Sequence, residues 1–352
     1  MGVTITGTGS YIPSKIATND RFKKSRFFNE DGSPIGQKSE VIIEKFKAIT
    51  GISERRYLEY DLTTSDMATL AALKAIEDAK IDIEDLDYII LAHNYGDVKH
   101  GNVQSDTVPS IATRVKHNLK IKNPSCIGYD LMFGCPGWVE GVIQGNAFVN
   151  AGIAQKILVI GAETLSRVID KHDRDSMIFS DGAGAVVLEY TDNKNGILAH
   201  VSATHSYDEG HFIYFGESNN KELTDSPRYI KMQGRKIYEF SLNNVPDAMK
   251  SCLDKSGIPI TDLKKIFIHQ ANEKMDEAIM KRFYALYDVA PPEGVMPMTI
   301  NLLGNSSVAT VPTLYDLVLH GKMEGHAVEK GDVIMFASVG AGMNINAIVY
   351  RV

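Results

Sequence analysis

The feature that most constrains the fold of this 352-residue chain is an internal repeat. Residues 81–91 (IDIEDLDYIIL) and 258–268 (IPITDLKKIFI) share isoleucine, aspartate and leucine at matching positions, 177 positions apart. The same step relates two apolar runs that are typical of buried strands, 156–160 and 333–337. Because 177 is close to half the chain length, the repeat predicts a duplicated α/β unit. Strands that alternate with helices favour mainly parallel sheets covered on both faces.

A helical pattern precedes each copy of the repeat, at residues 65–80 and 245–256, which is the order expected of α/β units. Asp-Asn-Lys-Asn-Gly at 192–196 is typical of a turn. We therefore predict an N-terminal half over residues 1–193 and a C-terminal half over 194–352.

Composition and charge exclude several classes of protein. The net charge of −7 argues against nucleic acid as the main partner. No apolar run reaches the roughly 18 residues that a membrane span needs, and the first residues lack the basic start of a secretory signal. Three scattered cysteines are too few for a disulfide framework or a thiolate metal site, so we expect a cytoplasmic protein.

Cys135 occupies a position that favours reactivity. A mostly apolar run at 126–133 predicts a buried strand, and apolar residues at helical spacing follow Pro136 and Gly137. Proline is favoured in the first turn of a helix, so Cys135 is expected at a helix N-terminus, where a thiol pKa of about 8.5 can fall. Free cysteines are also among the most buried residue types, so an inert core cysteine fits the same residues.

Other chemistry lies in the second half. His269 and Asn272 follow a buried strand, at the end where parallel sheets place ligand sites. Asn305 follows a glycine at the start of a predicted helix, and the glycine-rich turn at 340–342 can offer N–H groups to an oxyanion. The same residues also fit a structural histidine, a helix cap and a plain turn.

Together these stretches resemble the thiolase superfamily and, within it, the 3-oxoacyl-(acyl-carrier-protein) synthase III family. The motifs fall in the family's order along nearly the whole chain: 7–13, 50–55, Cys135 with Gly137, Asp173 with Arg174, 179–185, 269–272 and 304–307. The resemblance implies a thiolase-like duplicated fold with five layers, αβαβα, and a homodimer.

The resemblance also implies a decarboxylative Claisen condensation. Cys135 would accept an acyl group from a coenzyme A or carrier-protein thioester. The N–H groups of Cys135 and of the turn with Ala341 and Gly342 would hold the oxyanion. His269 and Asn305 would then stabilise the enolate formed when a malonyl thioester of acyl carrier protein loses CO₂. No metal or other cofactor is implied.

Some positions depart from the family pattern. Lys45 and Ile49 stand where the typical member has the tryptophan and arginine that sandwich the adenine of coenzyme A. The acyl donor can therefore be carried differently. Lys274, with Lys281 and Arg282 beyond it, fits a docking site for an acidic carrier protein, and it fits a solvated helix face equally well.

The leading hypothesis is an acyltransferase of fatty-acid or related biosynthesis with Cys135, His269 and Asn305 as catalytic residues. One alternative is a specialised condensing or ester-forming acyltransferase of secondary metabolism. Another is a non-catalytic partner subunit of an active homologue, although such a subunit need not keep all three side chains. A hydroxymethylglutaryl synthase fits less well, because no glutamate stands beside Cys135 in the chain.

Overall fold

The computed structural model describes residues 2–192, 195–223 and 227–352. The strands are β1 Gly2–Tyr11, β2 Lys15–Thr18, β3 Glu54–Tyr57, β4 Tyr88–Ala92, β5 Ile127–Leu131, β6 Lys156–Thr164, β7 Asp181–Thr191, β8 Gly196–Thr204, β9 Ile213–Gly216, β10 Tyr229–Met232, β11 Leu263–Ile268, β12 Val333–Gly340 and β13 Asn344–Arg351. The helices are α1 Ser39–Thr50, α2 Thr64–Ala79, α3 Ile111–Asn118, α4 Gly137–Asn150, α5 Gly234–Ser256, α6 Glu273–Ala285, α7 Ile300–Leu303 and α8 Thr310–Leu319. No helix within these ranges is long and apolar enough to cross a membrane.

Two large sheets repeat one topology. The first has the strand order β1-β7-β6-β4-β5 and the second has the order β8-β13-β12-β11. The strand directions also correspond. In the first sheet, β1, β7 and β6 pair antiparallel, and in the second sheet β8, β13 and β12 do the same. Strand β4 then pairs parallel with β6, as β11 does with β12. The predicted duplication is therefore confirmed. The proposed boundary turn includes Asn193 and Lys194, which lie outside the described residues, and the division there stays a prediction.

Alternation along the central strands sorts the core into layers. In β6, Leu158 and Ile160 pack with α2 and α3, whereas Ile157 and Val159 face α4 and α8. In β12, the alternation repeats, with one face against α5 and α6 and the other, including Phe336, against α4 and α8. The order of layers is thus α2/α3, sheet, α4/α8, sheet, α5/α6, which is the predicted αβαβα arrangement.

Two predicted elements differ from those observed. The run at 126–133 forms only β5, and its residues are half-buried or exposed because β5 is the edge strand of its sheet. Helix α5 begins at Gly234, about three turns before the predicted start, and contains Pro246. Proline cannot donate to the carbonyl of Leu242, and Arg282 Nη1 donates to that carbonyl at 2.7 Å instead. This contact lets the helix continue through the proline.

Candidate active site

One cavity of about 460 Å³ brings together the three predicted catalytic side chains. Cys135, His269 and Asn305 all line it, although they come from both halves of the chain. Cys135 precedes α4, His269 follows β11, and Asn305 lies between α7 and α8. The cavity therefore lies at the carboxyl end of the parallel strand β11 and at the N-terminus of the central helix α4.

Cys135 lies directly before the first turn of α4, as predicted. Pro136 is the N-cap residue of that helix, and Gly137 N donates to Gly134 O at 3.0 Å. The expected lowering of the thiol pKa is wrong, however. Burial raises the pKa of Cys135 to about 11, and the nearby Glu163 carboxylate also raises it, against an opposing hydrogen bond from Ser307. The described residues contribute no lysine or arginine to the cavity wall that would favour a thiolate.

Accessibility still separates Cys135 from the other two cysteines. Cys126 and Cys252 are 2% and 0% exposed, whereas Cys135 lines the cavity. Iodoacetamide should therefore modify Cys135 first, and the rate should keep rising through pH 9 because the thiol pKa is about 11. Peptide mass spectrometry over a time course measures the order of labelling, and repeating it at several pH values measures the pH dependence of the rate. Faster labelling of Cys126 or Cys252, or a rate that levels off near pH 7, would contradict the arrangement.

His269 is a buried, neutral imidazole. Its backbone N donates to Ala337 O at 2.9 Å, which ties the residue to β12. Burial lowers the pKa of His269 to about 4, with a smaller opposing contribution from the Ser307 backbone. Among the described residues, Nδ1 has no hydrogen-bond partner. At neutral pH the ring therefore carries one proton and no charge.

Asn305 is held by its backbone and by its side-chain oxygen. Its N donates to Ile178 O at 2.9 Å and its carbonyl accepts from Ser180 N at 2.8 Å. The side-chain Oδ1 accepts from Ser307 N at 2.8 Å. Because Oδ1 is occupied, the amide NH₂ is the group that Asn305 can offer to a ligand in the cavity.

The glycine-rich turn lies against the cysteine, as an oxyanion site requires. A Cβ on Gly340 would come within 2.6 Å of Cys135 N, so only glycine permits this approach. Gly340 and Ala341 line the cavity, and Gly342 is not among the lining residues that the structure describes. Asn344 Nδ2 donates to Ala341 O at 2.9 Å and to Phe133 O at 3.3 Å, which links the turn to the segment before Cys135.

The residues predicted for carrier-protein docking, and Asn272, lie outside the cavity around Cys135. Lys274 is exposed in the first turn of α6, and Lys281 is exposed further along it. Arg282 instead donates to Leu242 O and to Asn243 Oδ1. Asn272 caps α6, because its side chain accepts from Met275 N at 3.1 Å. It lines the entrance described below, not the cavity around Cys135.

A second cavity of about 470 Å³ adjoins the first. Lys45 and Ile49 line it, together with Arg174 and Arg235. The two cavities share five wall residues: Ile178, Met232, Ile237, Ala271 and Met275. Because the two cavities share a wall, we take the second as the entrance to the first, and Lys45 and Ile49, which depart from the family pattern, lie in it.

A set of hydrogen-bonded side chains, Glu163, Asn94 and Ser307, leads to Cys135 and was not predicted from the sequence. Glu163 is fully buried at the end of β6, and burial raises the pKa of its carboxyl to about 7. Its Oε2 accepts from Asn94 Nδ2 at 2.6 Å, and the same nitrogen reaches Ser307 Oγ at 3.2 Å. A signal was present, because Glu163 is a lone acid at the end of an apolar strand, the position that also singled out His269.

A thiolase-like fold with cysteine, histidine and asparagine around one cavity defines a class of condensing enzymes, and the comparisons agree. The family profile described as 3-oxoacyl-(acyl-carrier-protein) synthase III matches residues 129–206, and the profile of its C-terminal region matches 253–352. The beta-ketoacyl-(acyl-carrier-protein) synthase III of Aquifex aeolicus is 31% identical over 354 residues, covering 100% of both chains. Synthase III 1 of Bacillus cereus is 30% identical over 353 residues, covering 100% of this chain and 99% of the relative.

Solved structures show the same similarity. The crystal structure of 3-oxoacyl-(acyl-carrier-protein) synthase III from Aquifex aeolicus matches with a TM-score of 0.81 at 28% identity, covering 100% of both chains. The chain belongs to the 3-oxoacyl-(acyl-carrier-protein) synthase III family. It is a condensing acyltransferase of the fatty-acid biosynthesis type, and the prediction of family, fold and enzyme class is confirmed.

Proposed function

We propose that this enzyme condenses an acyl thioester with a malonyl thioester of acyl carrier protein through an acyl-Cys135 intermediate. The observation that carries the proposal is the convergence of Cys135, His269 and Asn305 on one cavity that adjoins the entrance. These side chains supply a nucleophile and two neutral hydrogen-bonding groups, which a decarboxylative condensation requires.

In the first half-reaction, Cys135 sulfur attacks the carbonyl carbon of the acyl thioester. The oxyanion accepts hydrogen bonds from Cys135 N and from the turn containing Ala341 and Gly342. The carbon–sulfur bond to the donor then breaks, and the leaving thiolate takes up the proton that Cys135 loses. The approach of Gly340 to Cys135 N supports this geometry.

In the second half-reaction, the malonyl thioester carbonyl lies between His269 and the Asn305 amide. The bond to the carboxylate breaks, CO₂ leaves, and the electron pair forms an enolate that accepts hydrogen bonds from both side chains. The enolate carbon attacks the acyl carbonyl on Cys135, and Cys135 leaves as a thiolate. The low pKa of His269, about 4, supports its role as a neutral donor at physiological pH.

Carrier protein is the proposed source of the acyl donor. Lys45 and Ile49 stand at the two entrance positions where the typical family member has an aromatic ring and a guanidinium, and Ile49 is 55% exposed. Coenzyme A should therefore bind only weakly, whereas an acyl carrier-protein thioester should still acylate Cys135. Intact-mass spectrometry of acylation and calorimetric titration with free coenzyme A measure the two quantities. Micromolar binding of free coenzyme A would contradict this choice of donor.

The acylation measurement also tests whether the carrier protein docks at Lys274. It is exposed at the N-terminus of α6, close to entrance residues Asn272 and Met275. Lys274→Glu should slow acylation by the carrier-protein thioester and leave acylation by a short pantetheine thioester unchanged, because only the former has an acidic protein to repel. Lys250→Glu, on α5 and absent from the walls of both cavities, is the matched charge change. Equal effects of the two substitutions would argue against docking at Lys274.

A homodimer and a cytoplasmic location complete the proposal. Edge strand β5 supports the dimer, because its outer side has no partner strand in the described residues. Ile127 at its start is 46% exposed, and Met132 directly after it is 68% exposed. A second copy of the chain can cover this edge. Sedimentation equilibrium at micromolar concentration should give twice the chain mass of 38.8 kDa, and a monomer would contradict the assignment.

A further inference from the structure

Ser307 contacts all three proposed catalytic residues. Its Oγ lies 3.4 Å from Cys135 Sγ, and its N donates to Asn305 Oδ1 at 2.8 Å. Its backbone also interacts with His269. Ser307 has a φ of +53°, which non-glycine residues rarely adopt. Strained backbone of this kind persists where surrounding contacts determine it, and it is common at functional sites.

The hydrogen bonds beneath Ser307 have a defined direction. Glu163 Oε2 accepts from Asn94 N at 2.9 Å and from Asn94 Nδ2 at 2.6 Å. Asn94 Nδ2 also donates to Ser307 Oγ at 3.2 Å. An amide NH₂ has hydrogens and no acceptor site, so the Ser307 oxygen must accept in this contact. The hydroxyl hydrogen of Ser307 is therefore free to point at Cys135 sulfur.

We propose that Ser307 donates a hydrogen bond to Cys135 sulfur whenever that sulfur carries negative charge, and that Asn94 and Glu163 position it for this task. Sulfur is charged when the acyl group is received and again when the product leaves, so the inference deepens the proposed function and rests on it. Among Ser307, Asn94 and Glu163, only Ser307 touches the reacting atom, so it joins Cys135, His269 and Asn305 as a catalytic residue. Asn94 and Glu163 act through it and are positioning residues.

Glu163 is not the base that takes the thiol proton. Asn94 and Ser307 lie between its carboxyl and Cys135, and an amide NH₂ cannot relay the proton. A negative Glu163 also raises the pKa of Cys135, which opposes thiolate formation. The charged or titratable groups that face Glu163 are His93, Tyr95 and Cys135. His93 makes its own hydrogen bonds, to Gly96 N and Asp130, so Glu163 serves as an acceptor for Asn94.

The first test measures thiol reactivity and needs no knowledge of the substrate. Alkylation of Cys135 by iodoacetamide is followed by mass spectrometry between pH 6 and pH 10. Ser307→Ala and Ser307→Gly should each slow the reaction at pH 7.5 by about 10- to 100-fold and move the rate profile to higher pH, because a hydrogen bond to a charged group is lost. Glycine tolerates the positive φ, so Ser307→Gly separates loss of the hydroxyl from backbone strain.

Ser306→Ala is the matched control, because the Ser306 hydroxyl contacts Thr310 and is not among the hydrogen-bonded side chains that lead to Cys135. It should alkylate like the wild type. If both Ser307 variants alkylate as fast as Ser306→Ala, the inference is wrong. Such a result would say nothing against the condensation reaction. Failure of the proposed function would look different, because Cys135 would then alkylate normally but would not be acylated by a thioester.

The second test examines the positioning role. Glu163→Ala removes both the acceptor for Asn94 and a charge that raises the pKa of Cys135, so it should alkylate more slowly than Glu163→Gln, which loses only the charge. Glu163→Gln keeps an oxygen that can accept from Asn94. Its NH₂ group replaces Oε1, which has no partner among the described residues, so no existing hydrogen bond is lost. The alkylation rate should therefore be higher than in Glu163→Ala. Glu163→Gln also removes a charge that raises the pKa of Cys135, so the profile should not move to higher pH. A Glu163→Gln variant as slow as Glu163→Ala would overturn the positioning role and indicate a base.

Discussion

Asn305→Ala should lower the rate of malonyl decarboxylation by about 10²- to 10³-fold, the loss typical of removing one donor to a developing oxyanion. Acylation of Cys135 should remain measurable, because the proposed first half-reaction uses backbone N–H groups and not the Asn305 amide. The structure supports this separation, since Asn305 Oδ1 is already paired with Ser307 N and only the NH₂ group is available to the enolate.

Two paired measurements test this division of labour. Intact-mass spectrometry reports the acyl-enzyme, and release of labelled CO₂ from malonyl carrier protein reports decarboxylation. Cys135→Ala should show the reverse pattern, with no acyl-enzyme and some remaining CO₂ release. If Asn305→Ala abolishes acylation as completely as Cys135→Ala does, the division is wrong. If the wild type releases no CO₂, the extender is not a malonyl group.

The resemblance to the family predicts that Cys135, His269 and Asn305 converge, and the topology gives a physical reason for it. Each follows an apolar run or a glycine, and the topology implied by the repeat brings the ends of such elements to the same edge of the sheets. The repeat itself is visible because duplicated strands need the same alternation of apolar residues in both copies. The five layers were predicted from the resemblance to the thiolase superfamily, and the alternation along β6 and β12 is what separates them in the structure.

The ionisation of Cys135 could not be predicted in the same way. Its place before α4 is a local property, and local patterns reveal it. The pKa depends instead on burial and on Glu163, which the fold brings close from 28 positions further along the chain. Glu163 and Asn94 become meaningful only when Ser307, from the other half of the chain, completes the hydrogen bonds.

Part of the cavity wall also could not be predicted from the sequence. Strands β9 and β10 form a small antiparallel sheet between β8 and α5, and Ile213, Phe215 and Met232 from it line the cavity. These strands have only four residues each, so their alternation is too short to recognise. Strand β10 also carries a buried charge, Lys231, whose two carboxylate partners lie 61 and 58 positions earlier in the chain.

Lys231→Met should destabilise the protein by about 3–5 kcal/mol, because it leaves buried carboxylates without a counter-ion. Lys231 is 4% exposed, and its Nζ donates to Asp170 Oδ2 at 2.6 Å, Asp173 Oδ2 at 3.0 Å and Asn219 Oδ1 at 2.8 Å. Methionine has a similar length and no charge. Urea unfolding at pH 7 measures the change in the free energy of unfolding.

Lys250→Met is the matched control, since Lys250 pairs with Asp254 on α5 where both side chains still reach solvent, and the loss should be below about 1 kcal/mol. Asp170→Asn combined with Lys231→Met should recover part of the stability, because it removes one of the two unpaired buried charges. Equal effects of Lys231→Met and Lys250→Met would contradict the role of the buried pair.

The pH dependence gives an independent check on the same residues. Burial alone would raise the pKa of Asp170, but Lys231 and several N–H donors hold it below its ordinary value in the folded protein. A carboxyl with a lowered folded pKa contributes stability above its unfolded pKa of about 3.9, and this contribution is lost as the pH falls through the folded value. In Lys231→Met the unpaired carboxyls can take up protons at a higher pH than in the wild type. The loss of stability should therefore be largest near pH 7 and smaller at pH 4, and a loss that does not change between these values would show that Lys231 acts by packing and not by charge.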